Sequence, residues 1–223
     1  ANALDGVLTV SASNTIAIGY DALGALTSGA ACIGVGYQAL LAHTTGANQI
    51  AIGHGAMDAT GNAGGSANQI MIGTDAGGGT WGSTEQHHNI GIGNYAMRGA
   101  LNGALRNVSI GNYSLDVLTS GDDNIAIGYG ASIALTTGVE NLVIGSYAFD
   151  AADGAESNNM AIGQLAMGNI NHDSVQRNTA IGHYAGDGMG AYANIDNLFL
   201  GYDTGGGTWG AASNYNVAIG NYS

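Results

Sequence analysis

The chain has 223 residues, 40 of them Gly and none Pro, yet apolar residues make up 45% and the glycines are regularly placed, so it is not a disordered Gly-rich segment. Only 9% of residues are charged and the formal charge is −13. The only cations are Arg98, Arg106 and Arg177, which argues against nucleic acid and against an anionic membrane surface. No apolar run approaches the roughly 20 residues of a membrane span.

Residues 1–13 read as a lead-in or capping segment, and from Asn14 a short unit recurs to the end. Its first copy is Thr15-Ile16-Ala17-Ile18-Gly19, and it returns as Gln49 to Gly53, Asn124 to Gly128 and Asn216 to Gly220. The closing glycines are Gly19, Gly36, Gly53, Gly73, Gly93, Gly111, Gly128, Gly145, Gly163, Gly182, Gly201 and Gly220, so the units are 17–20 residues long. The last copy ends at Asn221-Tyr222-Ser223, which reads as a repeat domain over 14–223 cut within its last repeat.

Apolar residues two apart predict a strand in every unit. The branched column includes Ile18, Ile52, Ile127 and Ile181, each followed by its structural glycine, Gly19, Gly53, Gly128 and Gly182. This column is expected to form the interior. The residue between is small in most copies, Ala17, Gly34, Ala51 and Ser109 among them, and larger only at Met71, Val143 and Phe199. That small face is expected to abut a second sheet or a second chain. Beyond the Gly, Ala22-Leu23, Ala39-Leu40 and Ala56-Met57 predict a second short strand or its edge. Thr27-Ser28-Gly29, Thr44-Thr45-Gly46, Thr119-Ser120-Gly121 and Thr136-Thr137-Gly138 are turn chemistry.

A unit this short, with so little strand, predicts one coil of an all-β parallel solenoid of about twelve coils, with identical residues stacked about 4.8 Å apart. Asn89, Asn107, Asn124, Asn141, Asn159, Asn178, Asn197 and Asn216 share one register and predict a hydrogen-bonded ladder. Cys32, alone and in the register of Gln49, reads as a small buried filler.

A longer period lies over the short one. Asp75-Ala76-Gly77-Gly78-Gly79-Thr80-Trp81-Gly82 recurs as Asp203 to Gly210, 128 residues on. These two insertions are expected to project, which makes Trp81 and Trp209, with Thr80 and Thr208, the receptor-binding candidates, while the favoured reading of the two indoles themselves is that they cap the roll or the trimer groove. Tyr20, Tyr37, Tyr129 and Tyr202, with Tyr95, Tyr113, Tyr147, Tyr184 and Tyr222 one place on, predict aromatic packing at a corner with wet hydroxyls, or a receptor-facing ladder.

The motif Asn-x-Ala-Ile-Gly-Tyr-x-Ala-Leu, with Thr-Thr-Gly before the next Asn, resembles the repeats of bacteriophage tail fibres. It is also similar to the head repeats of trimeric autotransporter adhesins, whose unit is shorter. The likeness runs from Asn14 to the end and is carried by stretches such as Asn48 to Gly53 and Asn124 to Gly128. It implies a left-handed β-roll, three chains around one axis, and an extracellular adhesive role. A virion fibre attaching to a host glycan or protein, and joined to other fibre or baseplate proteins, fits the 17–20-residue unit better than an adhesin head.

No nucleophile elbow, zinc helix or phosphate loop is present, so no enzyme and no cofactor is expected. His87-His88 beside Glu85, Asp122-Asp123-Asn124 and Asp75 with its glycines are the places where a metal could be sought, and none has a ligand pattern that repeats in register. A flat Thr array for an ice or crystal surface would need more than the two adjacent coils that carry Thr at 27 and 44, and again at 119 and 136.

Overall fold

In the computed structural model, which describes residues 3–4, 13–61 and 66–223, twelve three-residue strands form one parallel sheet in chain order. They are β1 (Ile16–Ile18), β2 (Ile33–Val35), β3 (Ile50–Ile52), β4 (Ile70–Ile72), β5 (Ile90–Ile92) and β6 (Val108–Ile110), then β7 (Ile125–Ile127), β8 (Leu142–Ile144), β9 (Met160–Ile162), β10 (Thr179–Ile181), β11 (Leu198–Leu200) and β12 (Val217–Ile219). Every strand pairs only with the strands one coil before and after it, with no slip in register. This is a parallel β-solenoid. The only helical element among the described residues is one 3-10 turn at Asp187–Met189. Most of the predicted lead-in, 1–13, lies outside the described residues.

The two faces of the sheet are the reverse of the expectation. Along β2–β11 the middle residue of each strand is buried, while the residues on either side are half-buried or exposed. Ala51 and Ala126 are 0% exposed, against 38% for Ile52 and 39% for Ile125. The small column is therefore the lining of the coil and the Ile column is its outer face. Among the described residues it abuts no second sheet.

The reason is volume. The interior is filled from the opposite side by the residue four past each Gly, namely Leu23, Leu40, Met57, Met97, Leu115, Phe149 and Met167, all fully buried. A three-residue strand facing that column has room for little more than a Cβ. A Cβ on Gly34 would already lie 3.1 Å from Leu23. At the two bulkiest strand residues, Met71 and Phe199, the opposing residue is glycine. Gly77 faces Met71, and Gly205 lies against the ring of Phe199.

The expected second strand is a turn instead. Leu23, Leu40, Met57, Leu115 and Phe149 have φ between 48° and 56°. Left-handed conformations are uncommon for such side chains. Here each is held by a backbone bond to the neighbouring coil, as in Leu23 N→Ala39 O (2.9 Å) and Phe149 N→Ala166 O (2.9 Å). The left-handed residue aims its side chain into the coil and lets so few residues close a turn. At Gly128 φ is +142, and an added Cβ would collide with the carbonyl of Gly145 one coil on, so this column admits no other residue.

The asparagine ladder forms as its spacing predicts. Asn124 Oδ1 accepts from the backbone N–H of Asn141 (3.1 Å) and from its Nδ2 (3.0 Å), while Asn124 Nδ2 donates to Asn107 Oδ1 (3.0 Å) and to Gly138 O (2.8 Å). The same pattern joins Asn89 to Asn107 and runs on to Asn216. Gln69 and Gln49 extend it toward the start, since Asn89 N donates to Gln69 Oε1 and Gln69 N to Gln49 Oε1. Cys32 takes the same place: its buried thiol faces Gly46 O at 3.4 Å, and burial raises its pKa. Buried amides are tolerable here because each finds its partners in the next coil.

Candidate interaction surface

Each of the twelve strands has two outward positions, and all of these side chains are apolar except Thr179. The columns run Ile16, Ile33, Ile50, Ile70, Ile90 on one side and Ile18, Val35, Ile52, Ile72, Ile92 on the other, and continue so to Val217 and Ile219. At the spacing of paired strands the strip is roughly 50 Å long and about 10 Å wide. Ile16, Ile18, Ile52, Ile92, Ile110, Ile125 and Ile181 are among the exposed large hydrophobic residues. Contiguous apolar surface of this length is unusual on a soluble monomer.

Aromatic rings form separate runs along the same axis. Tyr20 stacks on Tyr37 (centroids 5.4 Å) and Tyr37 on His54 (5.0 Å). Tyr95, Tyr113, Tyr129 and Tyr147 follow at 5.0, 5.7 and 5.3 Å. His183, Tyr184, Tyr202 and Tyr222 make the third run. Their rings pack on one another and remain substantially exposed, Tyr37 and Tyr129 at 45%. The Tyr147 hydroxyl is raised in pKa, first by its hydrogen bond to Tyr129. Between the first two runs the ladder is made of amides, with Thr74 N donating to Asn94 Oδ1 and Asn94 N to Asn112 Oδ1.

The GGGTW insertions do not project as expected. Trp81 is only 6% exposed and its Nε1 donates to Gly77 O at 3.0 Å. Trp209 is half-buried and meets Phe199 edge-to-face at 5.7 Å. Gly77 and Gly205 vacate the volume that Leu or Met fills in other coils. The larger strand residues, Met71 and Phe199, and the returning indole take it. Thr80 and Thr208 stay exposed beside them. The insertion is thus a differently packed coil, and a size match between the middle strand residue and the residue six further on is the sequence signal that marks it.

All three arginines are paired with an aspartate one coil on. Arg98 meets Asp116 through Nε and Nη2 (both 3.0 Å), Arg106 meets Asp123 (2.6 and 2.7 Å) and Arg177 meets Asp196 (2.7 and 3.1 Å). These pairs pull the Asp123 and Asp196 carboxyls below the usual range. Burial instead raises Asp58, Asp116, Asp150 and Asp187, with a neighbouring carboxylate adding to it at Asp58, Asp150 and Asp187. The candidate metal positions are engaged within the chain. Asp122 accepts from Leu105 N (2.8 Å), Asp123 is held by Arg106, and His87 lies 3.0 Å from Glu85. Asp153, Glu156 and Asp173 are the one group of three ligating side chains close enough to share an ion among the described residues. Buried Glu156 already accepts from Gly154 N and His172 N. The turn threonines are engaged too, for Thr27 and Thr119 donate to the carbonyls of Thr44 and Thr136.

Comparison with protein-family models, curated proteins and solved structures returns no match. Among the described residues, no helix is long and apolar enough to cross a membrane.

The columns of structural repeat residues, Ile18, Ile52, Ile127 and Ile181 with Gly19, Gly53, Gly128 and Gly182, all lie on or beside this sheet. The glycines do the structural work expected of them. The isoleucines face outward, and it is they that build the candidate surface.

Proposed function

We propose that this chain is the shaft and adhesive segment of a homotrimeric extracellular fibre, of the kind a phage or phage-like particle uses to attach to a host surface. The observation that carries the reading is the outward Ile strip, apolar over the whole length of the sheet apart from Thr179. Specific interfaces bury on the order of 800 Å² per partner. A corrugated strip of this size supplies surface of that order. The cover it calls for must be uncharged and must repeat at the same spacing as the coils. A second copy of this chain, side by side and parallel, meets both conditions at every level.

The repeat resemblance supplies the number three and the adhesive role. With Trp81 turned inward, the exposed tyrosine runs are the aromatic surface open to a host glycan or protein, and other fibre or baseplate proteins would join at the ends. The chain's cations are paired internally, which favours a neutral receptor over an anionic one.

Light scattering on the purified segment at micromolar concentration tests the assembly, with about three chains per particle expected. Adsorption of the labelled segment to candidate bacterial hosts, competed by unlabelled segment, tests the role. A stable monomer sinks the trimer, and assembly without saturable adsorption to any host leaves a shaft and removes the adhesive function.

A further inference from the structure

The Ile strip has a difficulty as an association surface. It is nearly the same at every coil, so a copy displaced along the axis by one coil, about 4.8 Å, sets apolar side chains against apolar side chains again. Burial alone changes by only one coil in twelve. Some feature other than hydrophobic contact has to define the axial register.

Thr179 is the only polar side chain on the strip. Its neighbours in the same column are Met160 on β9 and Leu198 on β11. No hydrogen bond among the described residues uses its hydroxyl, and the side chain is already half-buried in the single chain. A hydroxyl is both donor and acceptor, so copies at one level can close a ring of O–H···O bonds among themselves. In a copy slipped by one coil each hydroxyl is instead pressed against Met160 or Leu198 of its neighbour, with no partner and no water. A buried unpaired hydroxyl is costly, and the penalty recurs once per chain. A lone polar residue in an apolar seam sets register in coiled coils by this logic.

We propose that Thr179 fixes the axial register of the assembled fibre by hydrogen bonding to its own copies at one level of the seam. The proposal rests on the reading of the Ile strip as a self-association surface. It assigns the one polar interruption of that surface to alignment, at a position where Ile, Val, Leu or Met would bury more apolar area.

The test uses a spin label on exposed Ser83→Cys in a Cys32→Ala background, with distances between protomers read by pulsed electron resonance. With Thr179 present a single narrow distance is expected. Thr179→Val, which keeps the shape and removes the hydroxyl, should leave the particle mass unchanged. It should broaden the distribution toward longer distances, because each axial slip of one coil, about 4.8 Å, adds in quadrature to the lateral separation of the labels. Thr179→Ser should restore the single distance. An unchanged single distance in Thr179→Val overturns the register role while leaving the association intact. If the chain is monomeric in every variant, the association reading itself has failed and the register role falls with it.

Discussion

The inner and outer faces of the sheet lie side by side in sequence and follow different rules. Ala126 and its column equivalents face a lumen already filled by Leu, Met and Phe from the opposite turn, so what matters there is smallness. Ile125 and Ile127 face outward, where nothing in the chain limits their size, and bulk is kept at coil after coil. Hydrophobicity therefore does not locate the interior of a narrow solenoid. Complementary volume does, and the branched column becomes a surface feature.

The largest expected effect is on the inner side. Asn124→Ala removes the acceptor for the Asn141 backbone N–H and strands Gly138 O, both buried, while Asn107 Oδ1 keeps only the backbone N–H of residue 124. At about 1–3 kcal/mol for each unsatisfied group, a loss upward of about 2 kcal/mol is expected in denaturant unfolding. A loss below about 1 kcal/mol would mean that water enters the ladder. Next comes Ala126→Leu, which overfills the lumen and should cost roughly 1–3 kcal/mol by the same measurement. Ile127→Thr, one residue away but on the outer face, should change the stability of the dissociated chain by less than about 1 kcal/mol. Equal losses from these two neighbours would cancel the distinction between the faces.

The response to pH separates two further inner groups by sign. His43 is buried, with Nε2 bonded to Gly46 O (3.2 Å) and Nδ1 near the Thr60 hydroxyl (3.3 Å), and burial lowers its pKa. The folded state then binds fewer protons than the unfolded, so stability falls as pH drops below about 6.5. Asp58, Asp116, Asp150 and Asp187 have raised pKa values, so the folded state takes up protons first and stability recovers as pH falls toward the ordinary carboxylate range near 3.8. Melting temperature should therefore dip in mildly acidic solution and rise again below it. His43→Leu, which restores the residue found at Leu26 and Leu118 in equivalent turns, should remove the dip and keep the rise. The smallest effect belongs to Arg106→Ala, because the Arg106–Asp123 pair is solvent-exposed. Only a small loss is expected, declining in high salt.

Much of the fold was legible in the sequence. Strand positions, coil length, the asparagine ladder and the role of the closing glycines all follow from spacing. Which side of the strand faces in did not, because the period of two in Ile16-Ala17-Ile18 is satisfied by either choice. The deciding fact is the left-handed φ of Leu23 and its equivalents, which aims a large side chain at the small column, and such a conformation is unexpected for Leu, Met or Phe. The same gap explains why the insertion at Trp81 was expected to project. Three glycines in a row suggest a flexible tether, whereas Gly77 is small because Met71 is large. The bulky outliers Met71 and Phe199, each followed six residues on by Gly, were the available clue.

The proposed self-association rests on the Ile strip being an outer face. A double variant, Ile110→Asp with Ile127→Asp, tests it most directly when mass by light scattering and strand content by circular dichroism are measured on one sample. A folded single chain of 22.1 kDa is expected, since both residues point away from the coil interior. Loss of the strand signal in the dissociated chain would show that these isoleucines form the interior after all, and an unchanged trimer mass would show that the assembly uses another face.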